Sequence, residues 1–141
     1  MSNEIENLLP HREPFLFVDE IIEASEEKIT AKHIFTENEF FFKGHFPGYP
    51  VVPGVVLIET MAQSGGAGIR KQGIIGGGNL FFLATIDKVK FRRQVRPGEE
   101  VRSEIENLKI TQKVIKQRGR AYVGDELAAE AEWMCLIAEK L

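Results

Sequence analysis

Cysteine occurs once in the 141 residues, at Cys135, so no disulfide can close within the chain. That usage fits a reducing compartment, and a cytoplasmic location is expected. Histidine occurs three times. Three separated histidines and one cysteine provide no metal-ligand spacing, so no metal is expected. No apolar run approaches the roughly 18 residues that a bilayer span requires. The opening residues, MSNEIENLLPHREP, have no basic segment followed by an apolar one, so neither a membrane partner nor a signal peptide is expected. A Walker loop is missing too, because Gly76-Gly77-Gly78 is not followed by Lys and Ser or Thr. There is no GxSxG, and Cys135 lacks any local partner motif for a nucleophile. What remains is a chain of ordinary globular composition, 43% hydrophobic and 28% charged, long enough for one domain over residues 1–141 with a sizeable core.

The net charge of -3 conceals an asymmetry. Between Lys88 and Arg120, eleven basic side chains stand against four acidic ones, a surplus of seven that leaves the rest of the chain ten negative. Solvated strand faces would account for this, and so would a basic surface for an acidic partner. The stretch has few aromatics and the whole chain is acidic, so nucleic acid is not the expected partner.

Periodicity supplies the elements. Ser2 can cap a short helix over 3–9, which Pro10 ends. Phe15–Ile22 and Lys28–Thr36 read as a strand hairpin, and the consecutive Phe40, Phe41 and Phe42 as cover for a core edge or a subunit contact. A Gly/Pro loop over 44–54 precedes a helix over 55–71 that is apolar on nearly every side and therefore buried. Gly65, Gly66 and Gly68 within it cost about 1 kcal/mol each relative to alanine, which close approach of a strand or second subunit would offset. Strands follow over 79–95, 101–111 and 114–123. The last segment has a helical composition, yet Leu127, Ala129, Ala131, Trp133, Cys135 and Ile137 alternate strictly, which favours a strand. Four consecutive strands suggest an antiparallel meander. The class is α+β, one long helix against a curved antiparallel sheet.

Three features carry chemistry. His45 sits in a stiff loop whose Gly44, Pro47 and Gly48 serve backbone shape, and imidazole exchanges protons near neutral pH. His33, in an alternating strand, reads as a rim residue, and His11 as a hydrogen-bonded structural one. Glu59 lies among Val, Leu, Ile, Met and Ala with no basic residue within a helical turn, only Gln63 four residues on. Such a carboxylate must be paired, neutral or facing a cavity, and is a candidate acid or base. Gly54 begins the helix, where free amides and the helix dipole can polarise a carbonyl. This set suits proton abstraction next to a carbonyl with loss of a β leaving group.

The residues LPHREPFLFVD at 9–19, GHFPGYPVVPGVVLIETMAQ at 44–63 and FLATIDKVKFRRQVRPGEEV at 82–101 closely resemble the bacterial 3-hydroxyacyl-(acyl-carrier-protein) dehydratases of the FabZ type. The second block is highly specific, and the likeness runs nearly end to end. The resemblance implies a hotdog fold, homodimers commonly assembled into a hexamer as a trimer of dimers, and a site built from two chains. It assigns His45 as the catalytic histidine, Glu59 as the partner acid and Gly54 as the amide that binds the thioester carbonyl. It implies dehydration of a (3R)-3-hydroxyacyl thioester to the trans-2-enoyl thioester in type II fatty acid synthesis, without a cofactor. Glutamate rather than aspartate at the acid position favours the FabZ type over the isomerising FabA type. Phe82 stands where many members have a tyrosine gating the acyl tunnel. Phe46, Phe82 and Phe91 are the expected tunnel residues, and Lys90, Arg92, Arg93 and Arg96 the expected contacts for acyl carrier protein. A hotdog acyl thioesterase and a non-catalytic acyl-binding subunit are the alternatives. The joint presence of His45 and Glu59 disfavours both.

Overall fold

A helix that is apolar all round has to be enclosed. The computed structural model, which describes residues 3–75 and 79–139, shows a six-stranded antiparallel sheet wrapped around it. In chain order the elements are α1 (Asn3–Leu8), β1 (Glu20–Ala24), β2 (Lys28–Ile34), a 3₁₀ turn (Phe40–Lys43), α2 (Gly54–Lys71), β3 (Asn79–Phe91), β4 (Glu100–Ile110), β5 (Val114–Val123) and β6 (Glu126–Glu139). This is the hotdog arrangement. The final segment is the strand its alternation predicts, with Ala129, Ala131, Trp133 and Cys135 turned inward. The expected cap at Ser2 lies outside the described residues. Among the described residues no helix is long and apolar enough to cross a membrane.

The sheet order is β1-β2-β4-β5-β6-β3, which corrects the expected four-strand meander. Only β4, β5 and β6 form one, and β3 pairs with β6 rather than β4. The cause lies in residues 92–99, whose turn, closed by Glu99 N–H to Arg96 O (3.2 Å), does not join neighbouring strands. Instead Val52 N–H donates to Val95 O (2.8 Å), Gly98 N–H to Phe35 O (2.6 Å) and Phe35 N–H to Glu99 O (3.1 Å). These bonds tie the connection to the segment before α2 and carry the chain across to β2, the partner of β4.

The first strand also starts later than its sequence suggests. The Phe17 N–H and the Phe15 carbonyl bond to a side chain instead of a neighbouring strand. Gln63 Oε1 accepts from Phe17 N–H at 2.8 Å, and Gln63 Nε2 donates to Phe15 O at 3.2 Å. Phe17 and Val18 are nonetheless buried, so the apolar signal was right about location and wrong about pairing.

The helix glycines answer to close packing against the sheet. A Cβ on Gly68 would stand 2.6 Å from Ile29 of β2, and one on Gly65 would collide with Gln117 of β5. Of the phenylalanine run, Phe41 and Phe42 are buried beside Phe17 and Phe35, whereas Phe40 is exposed.

Two surfaces bear on function. The outer sheet face carries ion pairs that occupy part of the basic surplus: Lys88 and Arg118 with Glu132, Arg118 and Arg120 with Glu106, and Arg102 with Glu104. The edge strand β3, by contrast, exposes Phe82, Leu83, Ile86, Val89 and Phe91. An open strand edge with an apolar face is a ready template for another chain.

Candidate active site

His45 follows the 3₁₀ turn and is fixed at both backbone ends. Its N–H donates to Phe41 O (3.0 Å) and its carbonyl accepts from Val51 N–H (3.0 Å). The ring stacks on Phe46 with centroids 4.0 Å apart. Its Nδ1 lies 3.0 Å from Val51 O. A carbonyl can only accept, so Nδ1 carries the proton and the neutral ring keeps its lone pair on Nε2. Backbone geometry alone thus sets the tautomer a base requires.

His45 lines a cleft of about 670 Å³ together with Phe46, Gly54, Phe91, Arg92 and Arg93. Gly54 is the first residue of α2, where first-turn amides have no acceptor within the helix and the dipole is positive. The Phe91 ring lies directly over it, so that a Cβ there would approach the ring to 2.8 Å. The lack of a side chain at position 54 is what lets Phe91 close one wall of the cleft against the helix start.

Glu59 faces a different cavity. Gly54 and Glu59 are five residues apart, which puts them about 140° apart around the helix and about 7.5 Å along it. Glu59 lines a pocket of about 140 Å³ with His11, Gln63, Phe81, Phe82 and Cys135. Its side chain is 20% exposed, and Oε2 accepts from Gln63 Nε2 at 2.9 Å. Burial raises its pKa above the ordinary carboxylate value, with the Gln63 hydrogen bond acting in the opposite direction. Among the described residues no lysine or arginine pairs with it. Its one cationic-type neighbour within 4 Å is His11, with Nε2 at 3.6 Å. A carboxyl group whose proton is held more tightly than usual is a candidate to give that proton to a substrate.

The expected site residues therefore divide. His45, Phe46, Gly54, Phe91, Arg92 and Arg93 share one cleft, while Glu59 and Phe82 belong to the other pocket of the same chain. Of the basic residues, Arg92 pairs with Glu130 (2.7 Å), and Arg93 forms a two-pronged contact with Glu99 (2.8 and 2.9 Å). Arg96 stacks over Tyr49 at 4.4 Å, and Tyr49 in turn donates to Gln94. Lys90 and Arg96 have no carboxylate oxygen within 4 Å among the described residues, unlike Arg92 and Arg93.

Two histidines depart from their sequence reading. His33 is not on the rim: it is 5% exposed and lies between Asp19 (2.8 Å) and Glu39 (2.9 Å). Among the described residues His11 makes no side-chain hydrogen bond, and its Nδ1 is buried without a partner in the pocket of Glu59. Neither arrangement leaves a signal in local spacing, because the partners lie 6 to 48 residues away.

The model of the FabA-like domain matches residues 9–132. Among curated proteins, the chain is 52% identical over 140 residues to the 3-hydroxyacyl-(acyl-carrier-protein) dehydratase FabZ of Desulforamulus reducens, covering 98% of this chain and 97% of that protein. It is 49% identical over 134 residues to the protein of the same name from Pelotomaculum thermopropionicum, covering 94% of each. Among solved structures, the dehydratase heterocomplex ApeI:P from Xenorhabdus doucetiae matches with a TM-score of 0.82 at 18% identity, over 96% of this chain and 91% of that one. An uncharacterised protein, PH1136 from Pyrococcus horikoshii, matches at 0.67 and 16% identity, covering 95% and 93%. The last two likenesses concern the fold.

Proposed function

The chain belongs to the FabA-like family, and we propose that it removes water from (3R)-3-hydroxyacyl-acyl carrier protein to give the trans-2-enoyl thioester in fatty acid synthesis. The observation that carries this reading is Glu59: a half-buried carboxyl with no lysine or arginine partner among the described residues, on the helix whose first residue, Gly54, lines the cleft of His45. In the proposed reaction the thioester carbonyl oxygen accepts from Gly54 N–H, which stabilises the charge that develops as C2 loses its proton. Nε2 of His45 takes that proton. The C2–H electron pair forms the C2–C3 double bond, and the C3–O bond breaks as protonated Glu59 gives its proton to the departing hydroxyl. Water leaves, with imidazolium and carboxylate behind. The product of one direction is the acid–base pair of the reverse, so the residues return to their starting state by exchanging protons with solvent.

Because His45 and Glu59 face different cavities of one chain, a complete site needs a second copy. The exposed apolar edge of β3 suits that role, in a homodimer and in trimers of dimers. Phe46, Phe82 and Phe91 would line the acyl path. Acidic carrier protein would approach over Lys90 and Arg96, the cations with no carboxylate oxygen within 4 Å among the described residues, while Arg92 and Arg93 frame the mouth of the cleft.

The test follows enoyl absorbance from a 3-hydroxyacyl thioester with wild type, His45→Ala and Glu59→Gln. Both variants are expected to lose at least about a hundredfold in kcat. Undiminished turnover in either removes its assigned role, and release of free thiol in place of enoyl product would make the protein a thioesterase. Charge reversal at Lys90 and Arg96 is expected to reduce turnover of carrier-linked substrate while sparing a small thioester analogue. Equal losses would count against docking there.

A further inference from the structure

The pocket of Glu59 contains an imidazole, His11, that the proposed reaction leaves unused. His11 follows α1 and Pro10, and its side chain is 19% exposed. Its Nδ1 is buried with no hydrogen-bond partner among the described residues, a condition unfavourable for a buried polar atom. Its other nitrogen, Nε2, lies 3.6 Å from Glu59 Oε2. That separation exceeds a hydrogen bond by only a few tenths of an ångström, and bonds of this kind often tighten when a site is loaded. A phenylalanine would fill the same space without the unsatisfied nitrogen.

We propose that His11 is a positioning residue for Glu59, its Nε2–H donating to the carboxylate that forms when Glu59 gives up its proton to the leaving hydroxyl. This rests on the role given to Glu59 above. The tautomer follows from electrostatics: toward an ionised Glu59, Nε2 must carry hydrogen, leaving Nδ1 as the unshared lone pair. An unpaired lone pair is easier to leave buried than an unpaired N–H when its ring neighbour faces an anion. Gln63 Nε2 occupies the same oxygen at 2.9 Å, so His11 and Gln63 together would hold Oε2 and leave Oε1 to meet substrate. The other charged or titratable groups around His11 are consistent with a neutral ring. The Arg12 guanidinium is turned away onto the carbonyls of Glu6, Leu9 and His11. Cys135 of β6 is a neutral thiol, and Phe81, Phe82 and Leu83 of β3 carry no charge. Burial, followed by the Arg12 charge, lowers the His11 pKa, so the ring is an uncharged donor at neutral pH.

The role is tested with His11→Gln, whose amide reaches the Nε2 position, His11→Asn, which reaches only the Nδ1 position, and His11→Phe. Turnover of a 3-hydroxyacyl thioester is measured against pH, and the Glu59 carboxyl is titrated by carbon-13 NMR. His11→Phe and His11→Asn are expected to lose about tenfold to a hundredfold in kcat with KM within about threefold, and to titrate Glu59 at higher pH than wild type. His11→Gln is expected to recover most of both effects. Should His11→Phe fail to fold, the contrast between Gln and Asn still decides. Equal kcat and equal Glu59 titration across Gln, Asn and wild type would overturn the proposal. Glu59→Gln separates the two readings. If it stays active, the role of Glu59 falls. If it is inactive while the His11 variants match wild type, only His11 is wrongly assigned.

Discussion

The buried imidazole at His33 ought to make this protein measurably weaker in alkali. Its ring lies between two carboxylates, with Nδ1 2.8 Å from Asp19 Oδ1 and Nε2 2.9 Å from Glu39 Oε2. A carboxylate accepts only, so both nitrogens carry hydrogen and the ring is an imidazolium. Burial by itself would lower its pKa, but the hydrogen bonds and charges of Asp19 and Glu39 outweigh it and raise the value from 6.5 to about 9. For a group raised on folding, the stabilisation is complete below the unfolded value and disappears as pH climbs through the folded one. A shift of that size corresponds to about 3 kcal/mol at full strength. The Asp19 side chain is 37% exposed, and screening at that end reduces the expected figure to about 2 kcal/mol. The perturbation is His33→Asn, which keeps a neutral donor and removes the charge. Urea denaturation of both proteins from about pH 6 to about pH 10 gives the wild-type advantage at each pH. It is expected to be about 2 kcal/mol near pH 6, to shrink to roughly half by pH 8, and to vanish by pH 10. A constant difference across that range would refute the imidazolium, and a growing one would reverse the sign of the argument.

Two further outcomes follow from packing and burial. Gly68→Ala should destabilise by about 1–3 kcal/mol in urea denaturation even though alanine favours helix, because its methyl would meet the fully buried Ile29 at 2.6 Å; a variant of unchanged or greater stability would mean that α2 and β2 separate easily. Burial, followed by the nearby Glu59 charge, pushes the Cys135 thiol up to about 12, so at pH 8 the native thiol should react with a disulfide reagent more than about tenfold slower than the unfolded chain; equal rates would mean that the Glu59 pocket is open to solvent.

Much of the fold was legible because it depends on local pattern. The all-round apolar helix announced its burial, and the alternation from Leu127 to Ile137 overrode a helical composition. Pairing was less legible, because it depends on partners remote in sequence. Phe15–Val18 has the composition of a strand, yet its hydrogen bonds go to Gln63, 46 and 48 residues away. The position of β3 at the sheet edge follows from how residues 92–99 anchor to Phe35 and Val52, which no periodicity encodes. The same division holds at the site. Gly/Pro chemistry marked His45, and a charge in an apolar run marked Glu59. His33 reads as a rim residue and His11 as a hydrogen-bonded structural one, and only the neighbours folded against them reveal a ring held between two acids and a ring with an idle nitrogen.

The separation of His45 from Glu59 gives the two-chain reading its sharpest test. If each site takes His45 from one protomer and Glu59 from its partner, His45→Ala and Glu59→Gln dimers are each inactive at both sites. Mixed and allowed to exchange chains, they form heterodimers in which one site has lost both residues and the other has lost neither. Random exchange of equal amounts puts half the dimers in that state, and each has one working site of two, so about a quarter of wild-type turnover should return. A site contained within one chain predicts none, because every chain in the mixture lacks one residue. Recovery that appears only after exchange, and approaches a quarter, therefore requires that the acid and the base come from different copies. Its absence, with exchange confirmed by mass, would place both in a single protomer and require α2 or the His45 loop to move far enough to unite two cavities that are now apart.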